Sequence, residues 1–96
     1  MMDIDVKIPA ALASECGGAR RISVAVDDGA DLAGLLDRIE ADHPRLGRRL
    51  RDEAGNVRRF VNVYIGDEEC RRLKGLETAL APGQTVQILP SIAGGA

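Results

Sequence analysis

Gly94 and Gly95, set between Ala93 and Ala96, are the residues of this 96-residue chain whose chemistry would lie in the backbone. Glycine has no Cβ, so a glycine pair passes through a narrow channel where bulkier residues would collide. A stretch of that kind suits a narrow tunnel in a partner. The plain alternative is an ordinary frayed chain end. The other reactive types are sparse. Cys16 and Cys70 lie 54 positions apart and His43 is the single histidine, which is neither a zinc pattern nor a disulfide framework. Both cysteines read as small semi-buried thiols, with a persulfide-carrying role for Cys70 as the sharper alternative. His43 directly precedes Pro44 and reads as a helix-end residue. No Ser/His/Asp, Cys/His or metal-binding constellation emerges, so the sequence assigns no catalytic side chain and no metal ligand.

The charges offer one further chemistry. Arginine outnumbers lysine eleven to two, and Arg45, Arg48, Arg49, Arg51, Arg58 and Arg59 form a cluster. Phosphate contacts use such residues, but the formal net charge is −2 and Phe60 and Tyr64 are the only aromatics. Stacking platforms for single strands are therefore nearly missing, and the cluster reads as a solvated or protein-facing surface rather than a nucleic-acid site. No run approaches the ~18 apolar residues of a membrane span, and no charged segment precedes an apolar signal core. The expectation is a cytoplasmic protein with no membrane partner.

The elements that must position these groups follow from periodicity. Ile4, Val6 and Ile8 alternate with Asp3, Asp5 and Lys7, a half-buried strand ended by Pro9. Residues 10–19 read as a loop, and Ile22, Val24 and Val26 mark a second strand antiparallel to the first. Asp31 is placed to cap a helix whose apolar face is Leu32, Leu35, Leu36 and Ile39, ending at or before His43 because of Pro44. Gly34 costs that helix up to ~1 kcal/mol relative to alanine. Residues 46–57 read as a connection with at most one helical turn. A third strand covers residues 60–65, with Val61, Val63 and Ile65 inward. A short charged edge strand is expected at Glu69–Leu73, since charges suppress unwanted edge pairing. Leu76 and Leu80 plug the core, and Thr85–Leu89 forms the last strand before Pro90 stops the ladder. The order β-β-α-β-β-β makes a two-layer α+β domain.

A hairpin, a helix and strands leading to Gly-Gly resemble the β-grasp, or ubiquitin-like, fold: a mixed four- to five-stranded sheet on one main helix. The C-terminal run Val86-Gln87-Ile88-Leu89-Pro90-Ser91-Ile92-Ala93-Gly94-Gly95 is similar to the ending of the ThiS/MoaD family of sulfur carriers. The stretch from Arg59 to Glu68, then Gly75-Leu76 and Pro82-Gly83, looks most like the family's cysteine-biosynthesis type. The resemblance covers residues 4–95 and implies a β-grasp domain over 1–90 with a flexible tail over 91–96. It also implies a chemistry without bound cofactors. An E1-like partner would use ATP and Mg to adenylate the terminal glycine carboxylate, a sulfur donor would convert it to a thiocarboxylate, and a synthase would accept the sulfur.

In that picture the sulfur is carried at Gly95, with Gly94 before it. Pro90, Ile92 and Ala93 lie along the partner's channel. Docking is expected on Phe60, Asn62, Tyr64, Gln87 and Leu89, with Arg59 and Arg71 or Arg72 as a charged rim. That parity would reverse with a slip of one residue. Ala96 departs from the family pattern. One residue spans ~3.3–3.6 Å, about the 3–3.5 Å separation of reacting atoms, so removal of Ala96 by a metallopeptidase is expected before Gly95 can react. The runner-up reading is a small subunit of molybdopterin synthase. A nucleic-acid-binding β-grasp module and a ubiquitin-like modifier joined to lysines stand behind it.

Overall fold

The computed structural model describes residues 1–90. The tail expected at 91–96 lies outside the described residues. Strand β1 (Met2–Lys7) turns through a short helix α1 (Ala10–Ala13) and a 3₁₀ turn, Ser14–Cys16, into β2 (Arg21–Val26). Helices α2 (Leu32–Asp42) and α3 (Pro44–Leu50) follow, then β3 (Val61–Ile65), β4 (Glu68–Glu69) and β5 (Thr85–Pro90). The five strands lie in the order β2-β1-β5-β3-β4. β1 and β5 run parallel, and every other neighbouring pair is antiparallel. This is the β-grasp arrangement: the last strand inserts at the centre, between the first and the third.

Alternation decides which face is covered. Ile4, Val6, Val63, Val86 and Ile88 are fully buried beneath the helices, where they meet Leu32, Leu35, Leu36 and Ile39 of α2. Each such burial contributes about 1.5–3 kcal/mol. Asp31 caps α2 as its side-chain type dictates, its carboxylate accepting from the Gly34 amide at 3.0 Å. Leu80 is buried and Leu76 packs partly buried beside it, as expected. Among the described residues no helix is long and apolar enough to cross a membrane.

Four local readings need correction. The segment after Pro9 is not a plain loop, because Leu12, Ala13 and Cys16 turn into the core through α1 and the 3₁₀ turn. Four helical residues are too few to show a period in sequence. Pro44 both ends α2 and opens α3, since proline at the first helical position gives up only an amide that has no intrahelical partner. Leu46 and Leu50 of α3 are buried, so the connection is a second helix rather than one turn. The charged edge strand is two residues long and begins at Glu68. Glu69 accepts from the Arg71 amide and turns the chain into a 3₁₀ turn, Cys70–Arg72, that buries Cys70. Finally, β5 runs one residue further than expected, with Pro90 opposite Val61.

Gly47 carries the packing of α3 on α2. A Cβ built there would lie 2.6–2.9 Å from Glu40 Cγ, Cβ and Cα. Only glycine lets the two helix backbones approach this closely.

Candidate functional site

The uncovered face of the sheet is assembled by register. Arg21 of β2 lies opposite Lys7 of β1, Lys7 beside Gln87 of β5, Gln87 opposite Tyr64 of β3, and Tyr64 opposite Glu69 of β4. One row of side chains thus crosses all five strands. Nearer the end of β5, Leu89 lies opposite Asn62. Phe60 immediately precedes β3 and is 55% exposed. Asn62, Tyr64, Gln87 and Leu89 therefore share one face, as the alternation predicted. Pro90 has the opposite parity and sits exposed where β5 leaves the sheet. Ile92, Ala93, Gly94, Gly95 and Ala96 lie outside the described residues.

Arg71 and Arg72, the alternatives expected for the charged rim, are both exposed, and Arg71 is bonded to its own chain. Its guanidinium donates to the carbonyl oxygens of Arg58 and Val61 at 3.0 Å each, to Asn62 Oδ1 at 3.3 Å and to Glu69 Oε2 at 3.0 Å. It holds the edge of β3 and fixes the Asn62 side chain. Arg59 remains exposed beside Phe60.

The remaining arginines are largely drawn into contacts with their own chain. Arg51 reaches Asp37 at 2.7 Å and Glu40 at 3.2 Å, tying the end of α3 to α2. Arg45 and Arg49 approach Glu15 at 3.5 and 3.8 Å, and the Arg58 Nε donates to the Arg48 carbonyl at 2.8 Å. Ion pairs at this level of exposure contribute about 0–1 kcal/mol each, so their role is chiefly to direct the side chains.

Both cysteines are buried. Cys70 donates to Glu69 at 3.4 Å, and burial followed by the Glu69 charge pushes its pKa from 9.0 up to about 11. Burial also raises the Cys16 thiol, whose sulfur faces the Ala13 and Ala19 carbonyls. A thiolate nucleophile at Cys70 has neither the access nor the ionisation it needs. His43 is the C-cap of α2, its amide donating to the Ile39 carbonyl at 2.7 Å.

A feature not read from the sequence lies at the tail-bearing end of the sheet. Lys7, Ile8, Pro9, Ala10, Arg20 and Arg21 line a groove of about 380 Å³ with Gln87, Ile88 and Leu89. Arg20 is fixed there by donating from Nε to the Ile8 carbonyl at 2.9 Å. Local alternation had placed Lys7 outward, but only the parallel pairing of β1 with β5 sets it beside the exit of β5, and a pairing between chain ends leaves no local signal.

Comparison with known proteins agrees with this architecture. The sequence model of the ThiS family matches residues 6–95. The sulfur carrier protein CysO of Mycobacterium tuberculosis is 38% identical over 96 residues, covering 98% of this chain and all of that protein. Small archaeal modifier protein 3 of Haloferax volcanii is 37% identical over 81 residues, 84% of this chain and 87% of the relative. A crystal structure of the BexX/CysO complex of Amycolatopsis orientalis contains a chain that matches with a TM-score of 0.83 at 35% identity, over 95% of this chain and 98% of that one.

Proposed function

The chain belongs to the ThiS family, and on that footing we propose that it is a cytoplasmic sulfur carrier, a co-substrate rather than a catalyst, serving the synthesis of cysteine or another sulfur-containing metabolite. The observation that carries this reading is the position of β5. It is the central strand, paired on both sides, and it leads the chain at Pro90 toward Gly94 and Gly95 beside a sheet face that the helices leave open. A rigid domain that presents one carboxyl group and a docking face needs no catalytic side chain of its own.

The chemistry belongs to the partners. A carboxylate is a poor acylating agent, so an E1-like enzyme with Mg-bound ATP would join the Gly95 carboxylate to the α-phosphorus and release pyrophosphate. Sulfide would then attack the acyl carbon, AMP would leave, and a thiocarboxylate would remain for a sulfur-accepting synthase. In the sequence as it stands the Gly95 carbonyl is tied in a peptide bond to Ala96. We therefore include a metallopeptidase step that frees it. The docking face comprises Phe60, Asn62, Tyr64, Gln87 and Leu89.

The test is intact-mass measurement of chains ending at Gly95 and at Ala96, each given the activating enzyme, ATP, Mg and sulfide. The Gly95 form should gain about 16 Da as sulfur replaces oxygen, and the Ala96 form should not. A gain with Ala96 still attached would defeat the processing step. No gain in either form would defeat the carrier reading. The similarity to a small archaeal modifier protein favours a second reading, in which a lysine amine of a target takes the place of sulfide. Thiol-stable adducts in cell lysate would bring it forward, whereas co-purification with one large subunit only would favour the dedicated-subunit alternative.

A further inference from the structure

The charges of the sheet are sorted along its axis. Strand register puts Lys7 at the end of β1, Arg20 and Arg21 at the start of β2 and Arg59 ahead of β3 at the same end as Pro90, where β5 exits. The opposite end carries Asp3, Asp27 and Asp28 at the outer ends of β1 and β2, Asp28 being paired with the N-terminal ammonium at 3.2 Å, with Asp67 in the turn after β3 and Glu68 at the start of β4. A chain with a formal net charge of −2 therefore shows a cationic collar at the exit and an anionic pole away from it. The acids nearest the collar on the outer face are Asp5, paired with Arg21 at 3.1 Å, and Glu69, paired with Arg71. Lys7 and Arg59 make no ion pair with another described residue. Lys7, Arg20 and Arg21 of the collar line the groove together with Ile8, Pro9 and Leu89.

From this polarity we propose that the collar is the seat for an acidic rim, Asp and Glu side chains of the partner protein, around the mouth of the channel that takes the tail. The inference rests on the carrier reading and adds to it the charge of the partner's surface and the end of the sheet that meets it. Complementary potentials steer encounter and set orientation. Here they would bring the exit of β5, rather than the far end of the sheet, toward the channel. An acidic pole facing away would disfavour the inverted encounter, since like charges juxtaposed are repelled.

The experiment uses the full chain and, as probe, the E1-like adenylating enzyme purified from the same organism. Its affinity is measured at about 50 and about 300 mM salt, across which the screening length falls from about 14 to about 6 Å, enough to weaken rim attraction. The double variant K7E/R59E should lose ~10-fold in Kd at low salt and converge with the unmodified chain at high salt, as rim charges do. D67K, at the far pole, should not weaken binding. Should the double reversal fail to fold by circular dichroism, K7Q/R59Q carries the same test with ~3-fold loss. Equal affinities and equal salt dependence for K7E/R59E and the unmodified chain would overturn the collar. So would collar-dependent binding to a labelled DNA duplex with binding to the enzyme unaffected. These results are separate from the carrier reading, which stands or falls on whether the Gly95-ended chain gains sulfur.

Discussion

Arg71 closes the open edge of β3 by donating from Nη2 to the carbonyl oxygen of Val61 at 3.0 Å. Glu69, held by the same guanidinium, approaches the Val63 amide at 3.4 Å. β4 is only two residues long and pairs with Tyr64 and Ile65, so these two side chains take the place of the ladder that a longer edge strand would have supplied. An edge treated in this way presents fewer free backbone groups to another strand.

Replacing Arg71 by alanine removes all four of its side-chain contacts at once. The expected loss of stability is about 1–2 kcal/mol, because the contacts are partly solvent-exposed but two of them are made to backbone carbonyls. R71K should not restore it, since one ammonium cannot span the carbonyls that the planar fork reaches. Urea unfolding of the three proteins checks this. An unchanged midpoint for R71A would show that the clamp is decorative.

Two helical glycines should respond in opposite directions to the same change. At Gly34 an added Cβ meets Ala30 and Asp31 at 3.5 and 3.7 Å, ordinary contact distances. G34A should therefore stabilise by about 0.5–1 kcal/mol through helix propensity and a restricted unfolded chain. At Gly47 the Cβ would meet the Glu40 backbone and side chain at 2.9 Å or less, and G47A should destabilise by about 1–3 kcal/mol as α3 is pushed off α2. Thermal midpoints that move in the same direction for both would contradict this packing.

The pH dependence follows from Cys70. Its folded pKa of about 11 lies above the ordinary 9.0, so the folded chain holds the proton more tightly. The associated stability is intact below pH 9 and declines between pH 9 and 11 as the unfolded thiol ionises first. C70A or C70S should show less of that decline. At neutral pH both thiols should react with a disulfide reagent only after denaturant is added, which stopped-flow absorbance measures directly. Rapid labelling of Cys70 in the native chain would reopen a role for it as a sulfur relay.

The apolar part of the docking face can be separated from its charges. F60S and Y64S leave the buried side of the sheet untouched, since both side chains lie on the open face or just before it. Each should weaken binding to the adenylating enzyme by ~10-fold or more, with loss persisting at high salt because it reflects lost apolar contact rather than screening. Wild-type rates of thiocarboxylate formation in both variants would place docking elsewhere.

Much of this was legible from residue pattern. Alternation fixed which side chains of β1, β3 and β5 face inward because only one parity buries Val and Ile, and the stripe Leu32, Leu35, Leu36, Ile39 with Asp31 ahead of it left little freedom for α2. What escaped depends on contacts distant in sequence or on elements too short for a period. Gly47 fell within residues read as a connection, and nothing local says that Glu40 lies against it. The bonds of Arg71 were not readable because nothing local says that β4 stops at Glu69 and leaves the Val61 carbonyl for it. The pairing of Lys7 with Gln87 joins the two ends of the domain, and with the β1–β2 and β3–β5 registers it sets the charge collar.

The central place of β5 also sets an order of events during synthesis. β1 with β2, and β3 with β4, are joined into one sheet only through β5. A ribosome has made nearly all of the domain before that strand emerges, and until then the inner edges of β1 and β3 have no partner. Folding therefore waits on the residues that lead in sequence to Gly94 and Gly95. A chain truncated before Thr85 would be left with exposed edges, open to capture by proteases, and the folded population would be restricted to molecules whose translation has reached Pro90.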